Sequence, residues 1–216
     1  MSSNFERPCR PGIDTELLKQ IYYVIMSYCS KEQNTEETNF KVLHNLNTFA
    51  KFANNTCELQ TCQVSTMNES SKKSFWINIY NTLLLHLYVQ VGFPTSSFAK
   101  KIFFNNYKYK IGQFSFSLSD IENGILRGNP SKPFSIHKHF RSGDRRRLFV
   151  LPLDPRFHFS LSDLTVLSPP LNPILPDNLD EILTFNTTKY LTAQVEVDLV
   201  KKEVFNFYFN FILILF

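Results

Sequence analysis

The sequence predicts an α+β domain in which N-terminal helices pack on a buried central helix beside a small antiparallel sheet. Three observations lead there. Leu17, Leu18, Ile21, Val24, Ile25 and Tyr28 recur at helical spacing, as do Phe40, Leu43, Leu46, Phe49 and Phe52. Ser74 to Ala99 contains no charged residue, the longest such run in the chain. From Tyr107 the period falls to two: Tyr107, Tyr109 and Ile111 alternate with lysines, and Phe114, Phe116 and Leu118 with serines, across Gly112-Gln113.

Taken in order, residues 1–12 form an irregular lead-in rich in proline, and Asp14 offers an N-cap for a helix running to about Ser30. Lys31 to Thr38 is a polar loop, and a second helix spans about Asn39 to Ala53. The central helix follows a polar interval ending in Asn68-Glu69-Ser70-Ser71. At about 100° per residue its apolar side chains cover most of the circumference, leaving a stripe of Asn78, Asn81 and Thr82 with His86 at the margin. The two amides must bind nearby backbone or line a polar cleft, because a buried unpaired amide costs about 1–3 kcal/mol. His86, set among leucines, reads as a satisfied core histidine.

Gly92-Phe93-Pro94 ends the helix with the usual stop order. The 107–118 hairpin leads into Ser119-Asp120-Ile121-Glu122, whose spacing suggests a capping box that would account for Glu122. A long loop then carries a basic stretch to Arg147, with Arg145, Arg146 and Arg147 reading as a solvated turn and an acidic or phosphate partner as the sharper alternative. Strands are expected over 149–161 and 194–200, with a helix from Asp177 to about Leu191 between them. The organisation that results is a lead-in and helix over 1–38, one α+β domain over 39–203, and an anomalous hydrophobic tail over 204–216. For that tail a buried strand competes with the favoured reading, translated non-coding sequence after a missed splice site.

Composition narrows the classes. With 216 residues, of which 43% are apolar, the chain can bury one good core. The net charge of +4 is concentrated locally, so no nucleic-acid partner is expected. Four cysteines without a Cys-x-x-Cys pair do not make a zinc or disulfide framework, and free thiols are favoured over a Cys57–Cys62 bridge. The N-terminal residues lack a signal-peptide apolar core, which points to an intracellular, cytoplasmic protein. No membrane span is expected, since Asn78, Asn81, His86 and Gln90 would all need partners in lipid. His137 and His139 make a poor metal pair, and no metal or cofactor is expected.

Phe75-Trp-Ile-Asn-Ile-Tyr-Asn-Thr-Leu83, Tyr109-Lys-Ile-Gly112, Phe116 to Arg127, Asp154-Pro-Arg-Phe-His-Phe-Ser-Leu161 and Asp177-Asn-Leu-Asp-Glu181 occur in that order, and with them the chain resembles the domain-of-unknown-function 547 family over roughly Leu46 to Val204. The resemblance implies no assigned reaction. It also implies a departure: members continue from this His-Phe segment into two cysteine motifs, whose cysteine positions are here Asp163 and Ser168. By analogy with Cys-His-Asn enzymes, His158, Asp163 and Asn78 are the candidate catalytic residues, and Asn81, Arg156, Ser168, Arg145 and Arg146 the candidate binding residues. His158 serves equally well as a polar strand residue, and Arg156 with Asp154 as a loop-fixing pair. The leading expectation is a non-catalytic binding or scaffolding module with a degenerate, pseudoenzyme-like site and a protein or small-molecule partner. The alternative is a hydrolase or acyl-transfer domain of papain-like or transglutaminase-like logic, using His158 with a non-cysteine nucleophile or water.

Overall fold

The computed structural model describes residues 10–29, 47–131, 137–162, 168–169, 171–198 and 203–206. Helices α1 (Ile13–Cys29), α2 (Asn47–Asn55) and α3 (Glu69–Val91) form the N-terminal half. α3 starts where the side chain of Asn68 accepts the Ser71 peptide N–H at 2.8 Å, and it stops at Gly92, whose φ of 84° suits glycine. Every residue from Ser74 to Leu85 is buried, as the charge-free run predicts. α1 lies along α3 and buries Ile13, Leu17, Leu18, Ile21 and Val24. α2 buries Phe49 and Phe52, whose rings meet the His86 ring of α3 edge-on at 5.4 and 5.2 Å. His86 also hydrogen-bonds the Tyr109 hydroxyl at 2.7 Å, the satisfied core histidine the sequence predicts. The proposed start of the second helix, with Phe40, Leu43 and Leu46, lies outside the described residues.

After α4 (Ser97–Asn105), β1 (Lys108–Ile111) and β2 (Phe114–Ser117) pair antiparallel with Tyr109 opposite Phe116 and Ile111 opposite Phe114. Tyr109, Ile111 and Phe116 are buried while Lys108 and Lys110 face out. Gly112, at φ 56°, donates its N–H to the Leu59 carbonyl at 2.9 Å and closes the turn against the 3-10 helix Thr56–Thr61. Phe116 and Phe149 then pack edge-on against Trp76, whose Nε1 has no hydrogen-bond partner among the described residues.

Four expectations are corrected. The segment 149–161 is not a strand: it lies between and within two 3-10 turns, Arg145–Phe149 and Pro155–Ser160. Pro152 and Pro155 have no N–H to give a ladder, and the Asp154 carboxylate accepts the Arg156 N–H at 3.0 Å to start the second turn. The last strand exists as β3 (Val195–Asp198), directly after α5 (Leu179–Gln194), but it pairs with β4 (Glu203–Asn206) and not with β1 or β2. The beginning of the hydrophobic tail is thus in a hairpin, and 207–216 lie outside the described residues. Asp14 stands one residue inside α1 and turns its carboxylate to Asn78 instead of capping. Finally, Cys62 is buried and disulfide-bonded, whereas Cys57 across the same 3-10 turn is an exposed free thiol.

Candidate functional site

The segment after β2 determines where chemistry can occur. Its N-terminus is capped two residues earlier than expected: the Asp120 N–H donates to Ser117 Oγ at 3.1 Å and the Ser117 N–H to Asp120 Oδ2 at 3.0 Å, the reciprocal pattern of a capping box. Ser119 makes no side-chain cap bond, so Glu122 is released from the role the sequence suggested. The backbone over Asp120–Leu126 widens into a π-helical turn, with the Arg127 N–H reaching the Glu122 carbonyl at 3.0 Å. Gly124 is required there, because a methyl group at that position would enter the ring of Phe140. Phe140 is fixed in turn by Asn129, at φ 57°, whose side chain bonds the Phe140 N–H at 2.7 Å and its carbonyl at 3.0 Å.

On one side of this turn Asp120 collects charge partners. Its Oδ1 is 2.8 Å from His139 Nε2, and its Oδ2 is 3.0 Å from Arg146 Nη1. A carboxylate only accepts, so Nε2 carries the proton in that bond. Burial opposes ionisation of Asp120, but His139, the Ser117 amide and Arg146 outweigh it and hold the carboxyl down at about 2. Arg146 also pairs with Asp144 at 2.8 Å and lies 4.5 Å over the Phe140 ring. The solvated-turn reading fails at this residue: Arg146 is the cation of a half-buried network, while Arg145 and Arg147 are exposed.

On the other side Glu122 enters a small cleft between the π-helical turn and the Pro155–Ser160 turn. Leu126, Leu153, Pro155, Phe157, Phe159 and Leu161 supply apolar wall, and Glu122, Arg127, Asp154 and His158 supply polar groups. Burial pushes the Glu122 carboxyl above its ordinary range against the pull of Arg127 and His139. Asp154 behaves oppositely: burial would raise it, but its bonds to the Arg156 side chain and N–H hold it below the ordinary carboxylate range. A protonatable carboxyl and an imidazole lining one mainly apolar cleft can exchange hydrogen bonds or protons with a bound molecule.

The residues singled out in the sequence distribute unevenly around this cleft. His158 lines it, on a 3-10 turn and not on a strand. Asn78 is sealed in the core, donating to Asp14 at 2.7 Å and to the Ile174 carbonyl at 2.8 Å while accepting the Ile174 N–H at 2.9 Å. Asn81 likewise bonds the Ser160 carbonyl at 3.1 Å and the Ser162 N–H at 2.9 Å. The amide stripe therefore clamps returning backbone. Arg156 pairs with Asp154 and with Asp180, both at 2.8 Å, and ties the 155–160 turn to α5. Arg145 lies 5.6 Å over the Phe114 ring, Ser168 is half-buried and is not among the residues lining the cleft, and Asp163 is outside the described residues. Glu122, Arg127 and Asp120 were missed as site residues. Ser117-Leu-Ser-Asp120 is itself a capping-box spacing, and giving it priority over Ser119 to Glu122 would have left Glu122 unaccounted for.

Among the described residues no cluster of three metal-ligating side chains occurs and no helix is long and apolar enough to cross a membrane. The class that fold and site define is an α+β domain on a buried helix, with an apolar cleft holding one protonatable carboxyl. The family described as "Protein of unknown function, DUF547" has a model that matches residues 64–191, more than half of the chain, and the protein belongs to that family. The match contains α3, the β1–β2 hairpin and both walls of the cleft. No curated protein and no solved structure matches the chain.

Proposed function

We propose that the chain is a binding module whose cleft takes a small, largely apolar molecule carrying one hydrogen-bonding group. The single observation that carries this is the wall itself, apolar side chains facing Glu122, Arg127 and His158. Non-catalytic binding accords with the engagement of Asn78, whose amide is spent on Asp14 and Ile174 and so does not orient an imidazole. Screening aromatic amides and carboxylic acids by amide-proton NMR tests the proposal. Shifts should cluster on Leu126, His158 and Phe159 and vanish in Leu153→Arg, which fills the cleft from an exposed position. A screen in which no compound moves those signals would sink it.

One observation favours a second reading. Glu122, raised by burial and lining the same cleft as His158, would also supply the groups of a general acid–base pair acting on a bound ester or amide through water. Under that reading Glu122→Gln abolishes turnover without weakening binding; under the binding reading the same variant changes affinity and there is no turnover to lose.

A further inference from the structure

The corner between α3 and α4 presents a surface unrelated to the cleft. Val91, Phe93 and Phe98 are 44, 49 and 73% exposed, whereas Leu87 and Val89 of α3 and Phe103 of α4 are buried. Lys100 and Lys101 are exposed on α4 beside them, and Lys108 and Lys110 point outward from β1. Between Glu69 and Asp120 the sequence contains no aspartate or glutamate. Phe98 and Lys101 stand three residues apart on the solvent side of α4, while Phe103 anchors the other side in the core.

We propose that this corner docks on an anionic lipid bilayer, with Phe98 and Phe93 entering the headgroup boundary and Lys100 and Lys101 resting on lipid phosphates and carboxylates. Two protruding aromatic residues followed by a pair of exposed lysines, in a stretch of chain free of carboxylates, complement a surface that is negative and apolar within a few ångströms of depth. A protein interface would be poor in lysine. The long lysine stems extend the apolar contact while their ammonium groups stay in water. The docked form lies on the membrane and needs no spanning helix.

Sedimentation of the full chain with vesicles tests this. Binding is expected to an equal mixture of phosphatidylcholine and phosphatidylserine, not to phosphatidylcholine alone, and to weaken with added salt. Replacing Lys100 and Lys101 together by alanine should lower partitioning about 25-fold, at about five-fold per lysine. Phe98→Ser should lower it at least about ten-fold. Because these side chains are exposed the variants should melt like the wild type. Phe98→Trp adds a positive readout, since its fluorescence should be quenched by brominated lipid while buried Trp76 is unaffected. Equal binding to both vesicle types, absence of binding, an unquenched Phe98→Trp, or tighter association with an acidic peptide than with vesicles would each overturn the proposal.

Discussion

The side-chain amide of Asn78 and the backbone of Ile174, 96 residues apart, hold each other by two hydrogen bonds of 2.8 and 2.9 Å in a site closed to solvent. The same amide group reaches Asp14 on α1, so one side chain fastens three distant segments. Asn78→Ala should destabilise the protein by about 2–4 kcal/mol, since it strands the Ile174 backbone groups and the buried Asp14 carboxylate. Asn78→Asp should cost more at neutral pH, where it sets a second carboxylate against Asp14, and the gap between the two variants should narrow in acid. Urea denaturation across pH measures both.

The Asp120 network predicts a particular acid limb. Its folded-state pKa of about 2 lies below the ordinary aspartate value of 3.8, so the folded state holds the charge more strongly than the unfolded chain does. That stabilisation is present above about pH 4 and is lost as the pH falls from there through about 2. The difference corresponds to at most about 2.5 kcal/mol, and solvent at the edge of the network trims it toward about 1. Asp120→Asn should be less stable at neutral pH by that order, through loss of the charge facing His139 and Arg146. Its stability should then be flatter between pH 4 and 2. Parallel acid titrations followed by circular dichroism would show the two curves converging; curves that stay parallel would remove Asp120 as the origin of the limb.

Much of this fold was legible because it is written in periodicity. The charge-free run from Ser74 and the alternation from Tyr107 each have one structural solution, a buried helix and a hairpin, and both formed. The strand expected over 149–161 did not form, because two prolines and the Asp154 cap favour a 3-10 turn. The site was less legible for a related reason. Asn78 and Asn81 announce that polar groups are buried on α3, but only the path of the returning chain decides whether backbone or ligand answers them. Glu122 was obscured by two overlapping capping-box spacings, which local sequence does not rank.

Glu122 should show the opposite linkage from Asp120. Its carboxyl is raised by burial, so the folded state holds that proton more tightly than the unfolded chain, and the favourable contribution is lost as the pH rises through the folded-state value. Glu122→Gln keeps the shape and removes the charge. Relative to the wild type, the variant should therefore gain stability as the pH rises above the ordinary range for glutamate. Thermal melts at several pH values give the sign directly, and a constant difference would mean that Glu122 is no more protonated in the folded than in the unfolded protein.

Gly124 and Phe140 should be coupled. An alanine at 124 would drive its methyl group into the Phe140 ring, and that ring cannot retreat easily because Asn129 bonds both backbone groups of Phe140 and Arg146 covers its face. Gly124→Ala should cost about 1–3 kcal/mol by overpacking, and Phe140→Ala about 3–5 kcal/mol through the space it leaves. In the double variant the new methyl group enters the vacated volume, so the combined loss should fall short of the sum by about 1 kcal/mol or more. Guanidinium unfolding of the four proteins completes the cycle. Strict additivity would mean that the π-helical turn relaxes away from Phe140 on its own, and the cleft wall carried by Glu122 and Leu126 would then be softer than the packing around Gly124 implies.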